Sequence, residues 1–574
     1  MSSTTPARTI IVFTGRYASA AVAEHVEAIA ERFPEWTVHV VQESAPRRWR
    51  SYLRGKVRKL RREPVSYPLE VLAKLGRLIG NALARPWCRR HRLRSDAEHD
   101  WAGLPGHLSE LKPRNVLYHN CRFLHGTKTL QLVESLDPWL GISIGAPILR
   151  PKLFTIPELG TINIHKSLLP NYRGMPPGFW ELHDGASTAG VSIHWINEGL
   201  DTGDLILQRP LAVPKYSTPR GLAAQLDVLG TEVLLEALER IDAGTAERET
   251  QGTTGSKANR EPPWLLAKRV ERRFWKRRRS PRSLSRWTKL VVKNLVLAGY
   301  ALLWAPLRNA MLSRLGKCRV SVLLYHRVDD AMLDDVTVGV EQFARHLEIL
   351  ERNYEVLDLP AFLATRGEPR RRPAVVITFD DGYESDYLAA VLLRRHEIPA
   401  TFFLSTGMIG TEQPFPHDLE YYGRRVPSLS WRQVAQMARW GFRCGTHTVN
   451  HARLSALSTD EALEEVARAK AELKNRLDGQ ALTNCLAYPY GKPDDITDEI
   501  RSALHRIDVE YCLSAYGGSN GPDWEPLNIL RCGVDASFSD IAFRAVVEGW
   551  RVSPGQGVTE EIRQSCKCLQ SKVD

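Results

Sequence analysis

The chain has 574 residues, 43% of them apolar and 25% charged, a composition that excludes a disordered or collagen-like chain; at roughly 100–200 residues per domain, two to four domains are expected, each with its own core. The net charge of +12 is unevenly placed: residues 47–94 hold 16 Lys/Arg against 2 acids, and residues 268–319 hold 16 against 1, so the remainder is acidic. That pattern argues for local contact with a phosphate-rich surface and against a generally basic protein.

Met1–Ile11 carries one Arg and no apolar run of leader length, so no secretory signal is expected at this start. Thr9–Thr14 reads as a short buried strand, Ala18–Arg32 as a helix and Thr37–Gln42 as a second strand. This is the β-α-β opening of a doubly wound sheet. No G-x-G-x-x-G follows, so a dinucleotide site is not indicated. Residues 47–94 interrupt the pattern, with Leu69, Val71, Leu72, Leu75, Leu78 and Ile79 at helical spacing among basic residues. They read as an amphipathic helix for a membrane surface or partner, or as a solvated cationic insertion.

The α/β pattern resumes at Asn115–Tyr118, Gly141–Ile144, Gly160–Ile164, Gly190–Asn197 and Leu205–Val213, and a helix from about Pro219 to Ala243 closes the unit. Gly244 to Arg260, rich in Thr, Gly and charge, reads as a linker. The apolar run Leu290–Leu307 is shorter than the ~20 residues of a spanning helix and contains Lys293 and Asn294. Flanked by Arg and Trp, it reads as a helix lying in a membrane interface, with a buried core helix as the alternative.

A second α/β series has strand-like runs at 320–325, 374–379, 400–404, 441–446, 485–488, 510–514 and 528–531, which suits a barrel with its site at the strand C-terminal ends. The expected domains are therefore 1–250 with its insertion 47–94, a basic linker 251–319, a second catalytic domain 320–552 and a tail 553–574. Nine cysteines without a C-x-x-C read as free thiols in a reducing cytosol.

Asn163 and His165, one residue apart at a strand end, share a face. An amide N–H suits a developing oxyanion, and an imidazole suits proton transfer near neutral pH. Asp201 is placed to orient that histidine or the attacking amine. The string His165-Lys-Ser-Leu-Leu-Pro170-Asn-Tyr-Arg-Gly174, followed by Gly199-Leu-Asp201-Thr-Gly-Asp204, resembles the folate-dependent formyltransferases over roughly residues 110–245. That family includes methionyl-tRNA, glycinamide ribonucleotide and sugar-nucleotide enzymes. The resemblance implies a Rossmann-like sheet, 10-formyltetrahydrofolate as donor, and Asn163, His165 and Asp201 as the catalytic set. It also implies a pterin seat along Ile148, Leu149, Gly199 and Asp201. The basic stretch 47–94 stands where family members keep a compact acceptor-binding region, so the acceptor does not carry over.

Thr378-Phe-Asp380-Asp381-Gly382 closes a strand with adjacent carboxylates. Such a pair can divide metal-assisted hydrolysis, Asp381 holding the ion and Asp380 taking a proton from water. His447 and His451, four apart, are expected to meet the same ion from a helical turn. With Leu324-Tyr-His326-Arg-Val, Pro399-Ala-Thr-Phe-Phe403 and Ala487-Tyr-Pro489-Tyr-Gly491, these strings resemble the polysaccharide deacetylase (NodB-homology) family over about 320–550. The resemblance implies a distorted (β/α) barrel and a divalent metal, zinc by expectation. It further implies removal of an N-acetyl or N-formyl group from an amino sugar. Two departures stand out. Ala487 occupies a position where many members carry an Arg that holds the base. No late Leu-x-His follows Gly491, where His505 is the single histidine, so the proton donor is unassigned; Arg531 is an electrostatic candidate.

Together these readings predict a cytoplasmic bifunctional enzyme, peripheral on the inner face of the membrane through 47–94 and 268–319. It would formylate and deacylate an amino sugar, nucleotide- or polyprenyl-phosphate-linked, in cell-surface glycan or glycolipid assembly. The rival is a formyltransferase for a membrane or tRNA substrate whose hydrolase domain has decayed to a binding module. Nucleic acid is disfavoured, because no appended tRNA-binding pattern is present.

Overall fold

The computed structural model describes residues 8–15, 20–44, 49–75, 113–252, 258–279, 292 and, a few single positions aside, 295–550. The readings made for Leu78, Ile79, Cys88 and the tail 553–574 lie outside them. The chain forms two compact units, with the main division after Trp275.

In the first unit the strands are β1 (Thr9–Thr14), β2 (Thr37–Glu43), β3 (Val116–Cys121), β4 (Leu140–Ser143), β5 (Thr161–His165), β6 (Thr188–Trp195) and β7 (Leu205–Ala212). Their order is β3-β2-β1-β4-β5-β6-β7. The first five run parallel, and β6 and β7 are antiparallel additions. Side chains alternate between faces with period two. Ile10, Val12, Val38 and Val40 enter one core, whereas Ile11, Phe13 and Val41 enter the other. Helices Ala20–Arg32 and Pro219–Asp242 cover the first face through Val22, Val26, Leu226 and Val233, and helix Thr127–Ser135 covers the second through Val133. Thr218 starts the long helix by accepting from Gly221 N. The chain reverses direction along the sheet between β1 and β4, and the crevice beyond the C-terminal strand ends at such a point is where ligands bind in open α/β sheets.

Two segments expected to stand apart from this unit are built into it. Residues 244–252 and 258–260 do not run free. Leu205 and Glu249 exchange backbone hydrogen bonds, and Asn259 N donates to Arg173 O at 2.7 Å. The helix Trp264–Arg279 buries Val270 and Phe274 in the first core, and Leu265 N donates to Ser66 Oγ at 3.0 Å. In the insertion, helix Trp49–Arg62 is followed by a second helical stretch from Ser66, tied by Lys59 to Glu70 at 3.0 Å. Leu69, Val71, Leu72 and Leu75 stay exposed.

The second unit holds β8 (Val320–Tyr325), β9 (Arg327–Val328), β10 (Thr337–Val338), β11 (Glu355–Leu357), β12 (Ala374–Phe379), β13 (Thr401–Leu404), β14 (Arg443–Thr446), β15 (Leu482–Ala487), β16 (Tyr511–Leu513) and β17 (Arg531–Gly533). The order β16-β15-β14-β13-β12-β8-β17 is wholly parallel. A bridge between Leu513 and Ile529 nearly closes it into a barrel. β11, which pairs with β12, was not expected; three residues are too few to show alternation. Val320, Val322, Val376, Phe403, Ala487 and Leu513 share one core cluster. Capping boxes at Ser430/Gln433 and Ser458/Glu461 start the helices Trp431–Arg439 and Thr459–Arg476. The helix Leu295–Leu315 precedes β8 and contains a π-helical turn at Tyr300–Trp304. The six described cysteines are buried and free.

Two candidate active sites

β5 delivers the first site. Ile162 and Ile164 point into cores, so Asn163 and His165 share the other direction at the strand end. Asp201, in the left-handed region at φ 54°, turns back toward them. His165 Nδ1 lies 3.7 Å from Asp201 Oδ2, which also accepts from Gly174 N at 3.0 Å. The structure therefore brings Asn163, His165 and Asp201 together. His165 Nε2 is 3.1 Å from Tyr172 O, a group that only accepts, so Nε2 carries the proton. Nδ1 and Asp201 then face one another as two acceptors, an arrangement suited to an incoming amine that donates to both.

A fourth residue completes the set. His194 on β6 has Nδ1 2.8 Å from Trp195 O and Nε2 3.2 Å from Asn163 Nδ2. By the same reasoning Nδ1 carries the proton and Nε2 accepts from Asn163. One N–H of the Asn163 amide is thus held, and the other is aimed by default. Burial lowers His194 below the ordinary imidazole value, with Asp201 opposing the effect, which keeps it in the accepting form. Sequence reasoning missed His194, because Val-Ser-Ile-His-Trp reads as any buried strand.

Among the expected cofactor positions, Leu149 is buried and Ile148 is 78% exposed, in the segment following β4 at the reversal point. Gly145 sits at φ 60° and accepts from Gly15 N, joining that segment to the end of β1. A Cβ on Gly199 would meet Thr202 Oγ1 at 2.1 Å, so any other residue before Asp201 would displace the Thr202 side chain. Gln251 ties down the same turn: its Nε2 donates to Gly203 O at 2.6 Å and Asp201 O at 3.2 Å. Ile148 and Leu149 thus follow β4, the strand beside β5, and Gly199 and Asp201 lie on the turn that reaches His165.

The second site lies beyond the C-terminal ends of β12 and β14. Asp381 Oδ1 is 3.3 Å from His447 Nε2 and 3.2 Å from His451 Nε2, and all three residues are buried. The expected helical turn is absent. His447 and His451 lie in the loop after β14, and Thr448 at φ 65° and His451 at φ 52° bend it back. His447 Nδ1 is 2.7 Å from Ala487 O and must donate to it, so Nε2 presents a lone pair to a carboxylate oxygen that has no hydrogen-bond partner. Two acceptors facing at this distance fit a shared cation, and one carboxylate with two imidazoles is a donor set suited to a divalent metal.

Asp380 is occupied differently. Arg531, fully buried at the start of β17, meets both its oxygens, Nη1 to Oδ1 at 2.7 Å and Nη2 to Oδ2 at 2.6 Å. Its Nε donates to Ser514 O at 2.9 Å. Burial alone would raise the Asp380 carboxyl, but the guanidinium and His447 hold it below its usual range. Arg531 thus supplies from β17 the clamp that Ala487 on β15 does not.

Two further histidines enter this site. β8 lies between β12 and β17, with Tyr325 beside Phe379, so His326, the next residue, lies at the same rim. Burial lowers its pKa, while Asp381 and Asp380 act to raise it. The signal was present in Leu324-Tyr-His326, itself a Leu-x-His, carried by the first strand of the barrel. His505 is exposed on a helical turn and bonded to Ser502 O, with no contact to this site. His417, on helix Pro416–Tyr422, stands 4.0 Å from Asp381, with Tyr383 Oη 2.8 Å from its Nε2. Burial pushes it down to about 4, so it is a neutral imidazole. No string in the sequence marked it.

Residues 145–238 match the family model for formyl transferase, and residues 367–512 match that for polysaccharide deacetylase. One chain carries both. Its formyltransferase part is 35% identical over 179 residues to the methionyl-tRNA formyltransferase of Anaeromyxobacter dehalogenans, covering 31% of this chain and 55% of that relative. It is 41% identical over 121 residues to that of Pelotomaculum thermopropionicum, covering 21% and 39%. The chain thus spans about half or less of the length of these curated relatives. Among solved structures, the deacetylase PplD of Streptococcus pyogenes aligns at 21% identity and TM-score 0.33, over 40% of this chain and 99% of that one. A sugar N-formyltransferase from a Shewanella species aligns at 14% identity and TM-score 0.27, over 44% and 75%.

Proposed function

We propose that the chain is a bifunctional enzyme of cell-surface glycan or glycolipid assembly. Its first unit transfers a formyl group from 10-formyltetrahydrofolate to the amine of an amino sugar. Its second unit hydrolyses an N-acyl group, acetyl or formyl, from such a sugar. The carrying observation is that both constellations are whole in one chain, each with its supporting residues: His194 behind Asn163, and Arg531 behind Asp380. That completeness speaks against a decayed hydrolase.

In the first unit the attacking amine donates into the space between His165 Nδ1 and Asp201. The free Asn163 N–H steadies the oxygen of the tetrahedral stage. His165 receives the proton released as the new carbon–nitrogen bond forms and returns it to N10 of the folate as the formyl–N10 bond breaks. In the second unit a divalent cation, when bound by Asp381, His447 and His451, would polarise the acyl oxygen and acidify a bound water. Asp380 takes the proton of the attacking water. His326 gives one to the departing amine, filling the role that the late sequence leaves open.

The similarity to methionyl-tRNA formyltransferases favours tRNA as a second reading. The hydrolase in the same chain weighs toward a sugar, since polysaccharide is the substrate class in the description of its family. Mass spectrometry of amino-sugar lipids and glycans from cells expressing wild type or Asp381→Ala tests the proposal. Accumulation of an N-acetyl sugar in the mutant means acetyl is exchanged for formyl. Accumulation of an N-formyl sugar means formylation is temporary. An unchanged profile would sink the hydrolase half.

A further inference from the structure

The helix Leu295–Leu315 has two apolar faces, and one of them is uncovered. Leu297, Ala301 and Ala305 are at most 2% exposed. The π turn packs on helix Asp540–Val547, and the Tyr300 ring lies 4.8 Å from that of Trp550. Tyr300 Oη and Arg308 Nη1 donate to Glu548 O at 3.0 and 2.7 Å, and Arg308 Nη2 and Asn309 Nδ2 to Glu548 Oε2 at 3.1 and 2.7 Å. The buried residues recur every four positions. In a pure α-helix of 3.6 residues per turn such a row drifts round the axis, and the wider i→i+5 turn at Tyr300–Trp304 offsets that drift. One face therefore stays packed from Leu297 to Asn309.

The opposite face carries Val296, Leu303, Leu307, Met311 and Leu315, each more than half exposed, with Trp304 at 60% beside them. A contiguous apolar strip of this kind marks an interaction surface. By length and composition this helix could cross a bilayer. Its inner side forbids it, because Arg308, Asn309 and Glu548 would have to leave their clasp or enter hydrocarbon. Arg314, Lys317 and Arg319 stand at the C-terminal end of the strip, and residues 268–319 hold 16 Lys/Arg against a single acid.

We propose that this outer face seats the second unit on an anionic lipid bilayer, with the helix parallel to the surface and its apolar strip among the acyl chains. Cationic flanks beside an apolar face are the chemistry of interfacial helices. A second copy of the chain is a poorer occupant, since pairing would bring two strongly positive segments together. The inference is independent of which acyl group is removed.

The test is flotation of the full-length protein with phosphatidylcholine vesicles, and with vesicles in which phosphatidylglycerol replaces part of the phosphatidylcholine. Wild type is expected to float with the anionic vesicles and to come off in alkaline carbonate. Leu303→Ser/Leu307→Ser/Met311→Ser is expected to float at least about tenfold less, with unchanged circular dichroism and unchanged activity on soluble substrates. Failure of wild type to float, equal flotation of the triple variant, or retention through carbonate would each overturn the proposal. So would self-association in sedimentation that the triple variant abolishes, which would assign the face to a second copy.

Discussion

Arg531 and Asp380 form a buried pair in which each partner makes the other tolerable. Arg531→Ala leaves a carboxylate enclosed without its counter-charge, which costs about 3–5 kcal/mol; urea unfolding of the second unit should move by that amount. Arg531→Lys keeps the charge but cannot meet both oxygens. It should fold, and its hydrolysis should show an altered pH profile. The guanidinium depresses the Asp380 carboxyl, so weakening it raises that pKa, and activity should be lost at a higher pH on the acid side. In the first unit, His194→Phe releases Asn163. Formyl transfer should fall by a factor on the order of 10²–10³ in kcat, with hydrolysis unchanged; a parallel loss of both activities would instead mean a damaged fold. At this scale the sequence was legible where chemistry comes in strings. Asn163, His165, Asp201, Asp380, Asp381, His447 and His451 all stand in short runs whose spacing implies a shared site. His194 and His417 reach their sites from other elements, and only the three-dimensional course of the chain brings them in.

Among the elements, the segment read as a linker differs most from expectation. Its composition is that of a loop, and composition cannot reveal that Gln251 and Asn259 find backbone partners far back in the chain. Gly174 records the contact: it sits at φ 90°, and a Cβ there would meet Asn259 O at 2.2 Å. Gly174→Ala should cost more than about 1 kcal/mol and lower formyl transfer by loosening the Asp201 turn; unchanged kinetics would mean the segment is ornamental to catalysis. The loop after β14 teaches a related lesson. A spacing of four suggested a helix, whereas a bend through two left-handed residues gives the same convergence. β1, β4, β8, β12 and β13 were readable because each is a short apolar run buried on both faces.

At the scale of the whole molecule, the first unit's two cores draw, among the described residues, on the chain between Ile10 and Phe274. A chain ending at 279 should therefore stay soluble and transfer formyl groups. One ending at 250 loses Val270 and Phe274 from the first core and should aggregate; gel filtration of the two fragments decides this. The second unit should also be acid-sensitive. Burial holds His346 well below the imidazole value of 6.5, and its ring is stacked on Phe543. Because the folded-state pKa is the depressed one, its contribution is complete above the unfolded value and is lost as pH falls below it. His346→Gln should flatten the fall in urea midpoint between a pH above and one below 6.5; an unaltered slope would refute the assignment. The two-unit plan was legible from the repeated strand pattern, but the position of the division was not, because the helix Trp264–Arg279 is too basic to read as part of a core.

Of the nine non-glycine residues with positive φ among those described, Tyr172, Asp201, Asp381, Thr448, His451 and Tyr490 lie at or beside the two sites. Each such conformation costs of order 1–3 kcal/mol and persists because its surroundings enforce it. A laboratory selection for heat resistance would find cheap gains at these positions, since glycine or asparagine relaxes them. The survivors would be sturdier and slower, and the map of their substitutions would trace both catalytic rims without any substrate having been supplied.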